Sequence, residues 1–291
     1  MLNWKHENYR LKSAILGGMA ALGLAAMAAA SFTISASAES LLERIRNGDT
    51  IRLGFTNEPP GAYPGANGEP LGVENEITLD ILKKMGTTKI EPVVTEWGSL
   101  IPGLQAGRID IITAGMWIKP DRCRNVLFSE PVALEYDALL VPKGNPKGLH
   151  SYEDLRDKGL TLVTGAGYTA VKNAQDSGIA GDKIMQVAGP PEVAQAVKAG
   201  RAAAGALDYF NATGLVKKDY GIELADPFTS PVPPDHPAIA FSLNDPAAVD
   251  AFNAVLKDYV GSDEIMSVFA KYGYGKGNLP DGKKTADLCK D

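Results

Sequence analysis

The chain of 291 residues contains few side chains that could bind a metal, with two cysteines and three histidines. Cys123, Cys289, His6, His150 and His236 show no spacing of the kind that zinc sites use. Basic residues are also in the minority, with 29 Lys and Arg against 35 Asp and Glu. A phosphate-binding surface needs a basic face, so this balance argues against a nucleic-acid partner. We therefore expect no bound metal and no nucleic-acid partner. We also expect no cofactor.

Residues 1–38 are typical of a cleaved export signal. Three basic residues come first, an uncharged apolar stretch covers 14–30, and residues 36–38 read Ala-Ser-Ala, a small-x-small pattern. A transmembrane anchor is the alternative, but the stretch is short and rich in Ala and Gly. No cysteine lies near the predicted cut, which argues against a lipid anchor. We expect a mature chain from about Glu39, exported to the periplasm in soluble form.

The predicted mature chain is acidic. The signal contains three basic residues and one acidic residue, so residues 39–291 retain 26 basic and 34 acidic side chains, a net charge of −8. This charge suits a soluble protein that does not adhere to anionic membranes.

Export would bring Cys123 and Cys289 into an oxidising compartment, which favours a disulfide between them. Two separate thiols are the alternative.

The first half of this chain follows the order strand, helix, strand, helix, strand. "DTIRLGFT" alternates apolar and polar residues as a strand does. "VENEITLDILKKMG" places Ile77, Ile81, Leu82 and Met85 on one helical stripe. "IDIITAGM" is nearly all apolar, which is typical of a strand buried on both faces of a parallel sheet. The order indicates a doubly wound α/β domain.

The same pattern restarts after residue 150 and gives a second α/β unit of similar size. No long Ser/Gly or Pro-rich linker separates the two units, and short strand-like joins predict two crossings between them. We therefore expect an α/β fold with two lobes, the first formed by 39–140 and 236–291 and the second by 141–235. A ligand is expected in the cleft between them.

Three successive strands of the first lobe end in residues suited to binding. They are Glu58 and Tyr63 after the first strand, Trp97 after the second, and Gly115, Trp117 and Arg122 at and after the third. The carboxyl ends of strands in open α/β sheets face the ligand crevice. These side chains are therefore predicted to share one rim.

Their chemistry indicates a small zwitterionic ligand with a cationic end. Arginine suits a carboxylate, aromatic faces attract a delocalised cation, and an acid accepts N–H donors. Each residue also has a structural alternative. The tryptophans could be packing residues, Arg122 could pair with Asp121 or Glu130, and Glu58 could be a solvated turn residue.

In the second lobe the candidates lie in "TGAGYT" and "LDYFN". Gly165 and Gly167 follow a strand and expose backbone N–H groups at the start of a helix, which could receive an anion or a carboxylate. Thr169, in the same segment, is a further candidate binding residue. The sequence GxxxxGK[ST] is absent, which argues against a nucleotide. Asp208 ends a strand and could hold an ammonium group, or it could be a helix N-cap.

The segments "LQAGRIDIITAGM", "KPDR" and "FSEPV" resemble the periplasmic solute-binding proteins of polar amino acid ABC importers. The resemblance covers residues 39–291 and implies the type II binding-protein fold, with mixed, mostly parallel sheets and a hinge of two crossings. It also implies an inner-membrane ABC permease as partner and no enzymatic activity, and we expect a monomer. In that family the residue at Arg122 holds the ligand's α-carboxylate, and an acid at Asp208 often holds its amino group.

Within the family, "TEWGSLIPGL" and "AGMWIKPDRC" are most similar to the receptors for ectoine and hydroxyectoine, which serve osmoprotection. This implies that Trp97 and Trp117 form two walls of an aromatic box, with Glu58 on the ring nitrogens. Gly61 stands where that subfamily has a third aromatic wall, so either Tyr63 substitutes or the box is open there.

Two alternatives remain for the ligand and the activity. Asp208 is more typical of amino-acid receptors, so a polar or basic amino acid is the second candidate ligand. The same fold also hosts periplasmic dehydratases, in which Glu58 could act as the acid or base.

Overall fold

The computed structural model describes residues 39–218, 220–230 and 232–290, and the predicted export signal lies outside these residues. The strands are β1 (Ile51–Phe55), β2 (Tyr63–Pro64), β3 (Pro70–Leu71), β4 (Ile90–Val94), β5 (Ile111–Trp117), β6 (Leu127–Phe128), β7 (Asp137–Pro142), β8 (Leu162–Gly165), β9 (Ile184–Val187), β10 (Ala204–Asp208), β11 (Ile222–Leu224) and β12 (Pro237–Phe241). The helices are α1 (Leu41–Arg46), α2 (Val73–Met85), α3 (Leu100–Gln105), α4 (Pro120–Cys123), α5 (Tyr152–Asp157), α6 (Thr169–Asp176), α7 (Pro190–Lys198), α8 (Tyr209–Lys217), α9 (Pro246–Tyr259), α10 (Asp263–Tyr272) and α11 (Thr285–Leu288).

The sheet of the first lobe has the strand order β4-β1-β5-β12-β6. β1 pairs in parallel with β4 and β5, whereas β12 runs antiparallel to β5 and β6. Helix α2 covers the sheet and packs against α9 and α10. Ile77, Ile81 and Leu82 of its predicted stripe are fully buried, and Met85 is partly buried against the same core.

The sheet of the second lobe has the order β11-β7-β10-β8-β9. β8 pairs in parallel with β9 and β10, and β7 is antiparallel to β10 and β11. The predicted lobe boundary at residue 140 cuts through β7. The strand is continuous because its pairing with β10 and β11 buries Leu139 and Val141 in one core of this lobe, and Ala138 and Leu140 in another.

The chain crosses between the lobes at two adjacent points. Glu135 and Asp235 form an antiparallel bridge there, with N–O distances of 3.0 and 2.8 Å in the two directions. The outward crossing precedes β7, and the return crossing precedes β12. Paired crossings of this kind place a hinge beneath the cleft and let the lobes move as units.

The C-terminal tail returns to the first lobe. The predicted disulfide between Cys123 and Cys289 is present, with the two Cα atoms 5.7 Å apart. It fastens the end of α11 to α4, the single turn of helix that also carries Arg122. The tail therefore braces one wall of the cleft.

In the described ranges, no helix is both long and apolar enough to cross a bilayer. Within the same ranges, no group of three or more His, Cys, Asp and Glu side chains is arranged to hold a metal ion.

Candidate functional site

A cavity of about 580 Å³, including its open mouth, lies between the two lobes. Seven of the residues proposed from the sequence line it: Glu58, Trp97, Gly115, Trp117, Arg122, Thr169 and Asp208. The first-lobe members meet because β4, β1 and β5 are parallel neighbours whose carboxyl ends share one edge. The predicted convergence of three strand ends is therefore present.

Arg122 is buried at the cleft, with 9% of its surface exposed. Its Nη1 donates to the Trp117 carbonyl at 3.0 Å, and its Nη2 donates to the Gly167 carbonyl of the second lobe at 3.2 Å. The guanidinium also lies 5.4 Å from the ring centre of Trp97, within cation–π range. A positively charged group is thus fixed at the cavity wall by contacts on both sides of the cleft.

Trp97 also reaches across the cleft. Its indole Nε1 donates to the Gly167 carbonyl at 3.2 Å, and its ring meets Tyr168 edge-on with centroids 5.2 Å apart. Gly167 has φ +78°, a conformation that favours glycine, and a Cβ there would lie 3.4 Å from Trp97 Cδ1. One second-lobe carbonyl therefore accepts donors from both Trp97 and Arg122.

Trp117 has a different role from Trp97. It is the last residue of β5 and only 8% exposed. Its Nε1 donates to Glu135 Oε2 at 2.7 Å. The ring edge is thereby fixed by a buried carboxylate, and the side chain combines packing with a wall of the cavity.

Carboxylates dominate the cavity lining: Glu58, Glu74, Glu135, Asp137 and Asp208. Burial raises the pKa of Glu58 to about 7 and that of Asp137 to about 6. Burial also raises the pKa values of Glu74, Glu135 and Asp208, and the nearby acids raise those of Glu74 and Glu135 further. Among the described lining residues, Arg122 is the cation, so acids outnumber it strongly.

The second lobe contributes through the starts of two helices. Asp208 is the N-cap of α8, accepting from Asn211 N at 2.9 Å, and it also lines the cavity. Its two proposed roles are therefore compatible. Thr169 is the first residue of α6 and lines the cavity beside Tyr168.

Two predicted binding residues lie elsewhere. A Cβ on Gly165 would be 2.5 Å from the Tyr168 ring, so the ring covers this glycine and takes its place at the cavity. Tyr63 packs edge-on against Tyr272 with centroids 6.5 Å apart and is not among the residues lining the cavity. Of the two alternatives for the aromatic wall missing at Gly61, replacement by Tyr63 does not occur, because β2 pairs with β3 and the ring lies against Tyr272 of α10.

Sequence reasoning missed Glu74, although a signal for it exists. Glu74 shares a helical face with Ile77, Thr78 and Ile81, all fully buried, so an acid stands at a core position. Glu135 also interrupts an apolar run, and Tyr274 follows the last turn of α10 with no local pattern that marks it.

Tyr274 links the tail to the hinge and to the second lobe. Its hydroxyl donates to Glu135 Oε1 at 2.6 Å, and its ring stacks on Phe210 with centroids 3.6 Å apart. Phe210 belongs to α8, so this stack connects the two lobes beside the cavity.

Residues 51–275 match the model of the bacterial extracellular solute-binding proteins, family 3. The chain belongs to this family. The solute-binding protein is 38% identical over 258 residues to the "Probable amino-acid ABC transporter periplasmic-binding protein y4tE" of Sinorhizobium fredii, covering 85% of each chain.

Two solved structures are also similar. The hydroxyectoine complex of EhuB has 30% identity and a TM-score of 0.78, covering 86% of this chain and 98% of that one. An ancestral arginine-binding protein bound to glutamine has 27% identity and a TM-score of 0.68, covering 78% and 98%.

These similarities confirm the predicted fold and family. The protein has the type II periplasmic binding-protein fold, with two mixed α/β sheets. It is an extracytoplasmic solute-binding protein of the amino-acid ABC type. A small ligand and a membrane permease are its partners by family.

Proposed function

We propose that the protein binds one small zwitterion between its lobes and presents it to the permease of an ABC importer. The observation that carries this proposal is a single cavity lined by Arg122 and Trp97 of the first lobe and by Thr169 and Asp208 of the second. A buried guanidinium suits a carboxylate, and an acid with an aromatic face suits a cation. A ligand that contacts both lobes favours the closed state, which is the state a permease can recognise.

We propose an ectoine-type compatible solute as the first candidate ligand. The similarity to a hydroxyectoine-bound structure at 30% identity supports it. Trp97, Arg122 and Glu58 line one cavity, as a cyclic amidinium with a carboxylate would need. Gly61, at the position where the related receptors have an aromatic wall, lines the cavity beside the carboxylate of Glu74.

A polar or basic amino acid is the second candidate. The excess of carboxylates over the single arginine among the described lining residues favours a ligand with more N–H donors than an ectoine-type solute offers. Asp208 is suited to an α-ammonium group opposite Arg122. This candidate and the first share one cavity and one carboxylate-binding residue.

A thermal-shift screen tests the proposal directly. Ectoine, hydroxyectoine, betaines and the common amino acids would each be added at millimolar concentration. A ligand at 100 times its Kd stabilises the folded state by about 2.7 kcal/mol, which shifts the melting temperature by several degrees. We expect one chemical class of zwitterion to do so, and no shift with any member would contradict the proposal.

The raised pKa of Glu58, about 7, is also compatible with the dehydratase alternative, because general acids and bases work best near the ambient pH. A turnover assay with cyclic dicarboxylic acids separates the two functions. We expect ligand binding without product formation.

We further propose that residues 1–38 are removed on export and that the protein is a periplasmic monomer without a lipid anchor. The intact mass of protein recovered from the periplasm tests the cleavage and the anchor together. Sedimentation analysis of the same material tests the monomer.

A further inference from the structure

Glu74 is an unusual member of the cavity lining. The residue is fully buried, and among the described residues no N–H or O–H group donates to either carboxylate oxygen. The carboxyl group of Glu135 lies within hydrogen-bonding reach of it. It reaches the cavity between two glycines: a Cβ on Gly61 would lie 3.2 Å from Oε2, and one on Gly115 would lie 3.0 Å from Oε1. Gly115 also has φ +65°, which favours glycine. A buried carboxylate without donors is costly, so it needs a proton or an external N–H donor.

Glu135 lines the cavity close to Glu74, and its two oxygens are already oriented. Trp117 donates to one and Tyr274 to the other. Hydrogen bonds of this kind fix the position of a carboxylate and leave further lone pairs available. Glu74 and Glu135 therefore form an acidic floor, defined here as the part of the cavity beneath Gly61 and Gly115.

The groups around this floor are mostly negative. Asp208 faces it from the second lobe and raises the pKa of both acids, and Asp235 of the hinge does the same for Glu135. Arg122 of α4 and Glu58 line the same cavity. Two carboxylates so close together share a proton or a cation, because like charges disfavour simultaneous ionisation.

Resting on the proposed function, we propose that Glu74 and Glu135 form a second cation subsite that receives an additional ammonium group of the ligand. The substrate class is then a short diamino acid, with one carboxylate for Arg122 and two ammonium groups for the acids of the two lobes. An ectoine-type solute has one delocalised cation, which Glu58 can serve without the floor. Only the diamino acid would use the acidic floor, so the floor would set the preference between these two ligand classes.

Proton exchange follows from the same arrangement. Before the ligand binds, the floor pair retains a proton. When the second ammonium arrives, it donates N–H bonds to both carboxylates, and the shared proton leaves to solvent. Ligand binding and proton release are thereby coupled.

The test is calorimetric titration of the protein with three matched pairs of amino acids. L-2,4-diaminobutyrate, L-ornithine and L-lysine are compared with L-2-aminobutyrate, L-norvaline and L-norleucine, which lack only the terminal ammonium group. We expect at least one diamino acid to bind more tightly than its partner by at least about 30-fold, as a buried charge pair does. Ectoine and hydroxyectoine are titrated in the same series.

Glu74→Gln removes the charge with little change in volume, and Glu91→Gln on the exposed edge of β4 is the matched control. Glu74→Gln is expected to abolish the preference for the diamino acid while leaving its uncharged partner within about threefold of its affinity. The control should change neither value. Because the substitution keeps the volume of the side chain and removes the like-charge interaction with Glu135, the variant is expected to fold.

Titration in buffers of different ionisation enthalpy provides the second measurement. We expect release of close to one proton per diamino acid bound near neutral pH, and little release in Glu74→Gln.

Equal affinities within every matched pair, or unchanged selectivity and proton release in Glu74→Gln, would overturn the subsite. If ectoine binds and no diamino acid does, the subsite fails while the proposed function stands. Failure of all these zwitterions to bind would overturn both.

Discussion

The guanidinium of Arg122 in the first lobe and the carbonyl of Gly167 in the second are joined across the cleft by a hydrogen bond of 3.2 Å. Trp97 donates to the same carbonyl at the same distance. Arg122 therefore has two roles at the site. It places a positive charge at the cavity wall, where we propose that it binds a ligand carboxylate, and it joins the two lobes.

Replacing Arg122 with alanine is expected to weaken ligand binding by about 2–5 kcal/mol, because a buried carboxylate would lose its charged partner. Calorimetry with the ligand found in the screen measures this change. Arg201→Ala, at an exposed position after α7, is the matched control and should leave affinity unchanged. Full affinity in Arg122→Ala would exclude this residue from the site.

The two tryptophans should respond differently to replacement by phenylalanine. Trp117→Phe leaves one oxygen of buried Glu135 without its donor, so the free energy of unfolding should fall by about 1–3 kcal/mol. Trp97→Phe removes an interlobe hydrogen bond at a partly exposed position and keeps an aromatic ring beside Arg122. It should weaken ligand binding with little effect on the stability of the ligand-free protein, as urea denaturation would show. Equal effects of both changes on stability would contradict this assignment.

Stability without ligand should decrease as pH rises from about 4 to about 7. The native pKa values of Glu58 and Asp137, about 7 and about 6, lie above those of the unfolded chain because the groups are buried. The native state thus holds more protons in this window, and each excess proton costs about 1.4 kcal/mol of stability per pH unit. Asp110 has the opposite effect, because Arg44 and Arg52 lower its pKa to about 2 and its ionised form stabilises the folded state. That stabilisation is lost only at pH values below this window.

Urea denaturation at a series of pH values measures this slope. Glu58→Gln should flatten it, whereas Glu91→Gln should not. Stability that increases between these pH values would show that the cavity acids are ionised and well solvated in the folded protein.

Loss of the disulfide should affect the site as well as the fold. The bridge closes a loop between residues 166 positions apart and anchors the turn that carries Arg122. Cys289→Ser is expected to cost about 2–5 kcal/mol of unfolding free energy and to weaken ligand binding by a smaller amount. Reduction of the native protein should reproduce both effects, and an unchanged melting temperature would contradict them.

Much of the fold could be predicted because local patterns of apolar residues in the sequence indicate the helices and strands directly. The stripe on α2 and the apolar run of β5 each form the element that their periodicity indicates. The end of the first crossing could not be placed, because the apolar run "ALLVP" fits a strand of the first sheet as well as one of the second. Only its pairing with β10 and β11 decides the matter.

The site residues that follow strand ends could be predicted from the sequence. Those that reach the cavity through tertiary packing could not. Arg122 and Trp97 follow parallel strands, so their convergence could be inferred. Tyr63 comes after the same strand as Glu58, but a short hairpin turns it away. The acidic floor depends on Glu74 from a helix and Glu135 from the hinge, which approach each other only in the folded chain.

Intrinsic fluorescence tests the central claim most directly, because Trp97 and Trp117 are the tryptophans of residues 39–291 and both line the cleft. Adding the ligand identified by the screen should change the emission in a saturable manner at one ligand per protein. Trp97→Phe should remove most of that change. Binding seen by calorimetry with no change in emission would place the ligand outside the cleft and contradict the account.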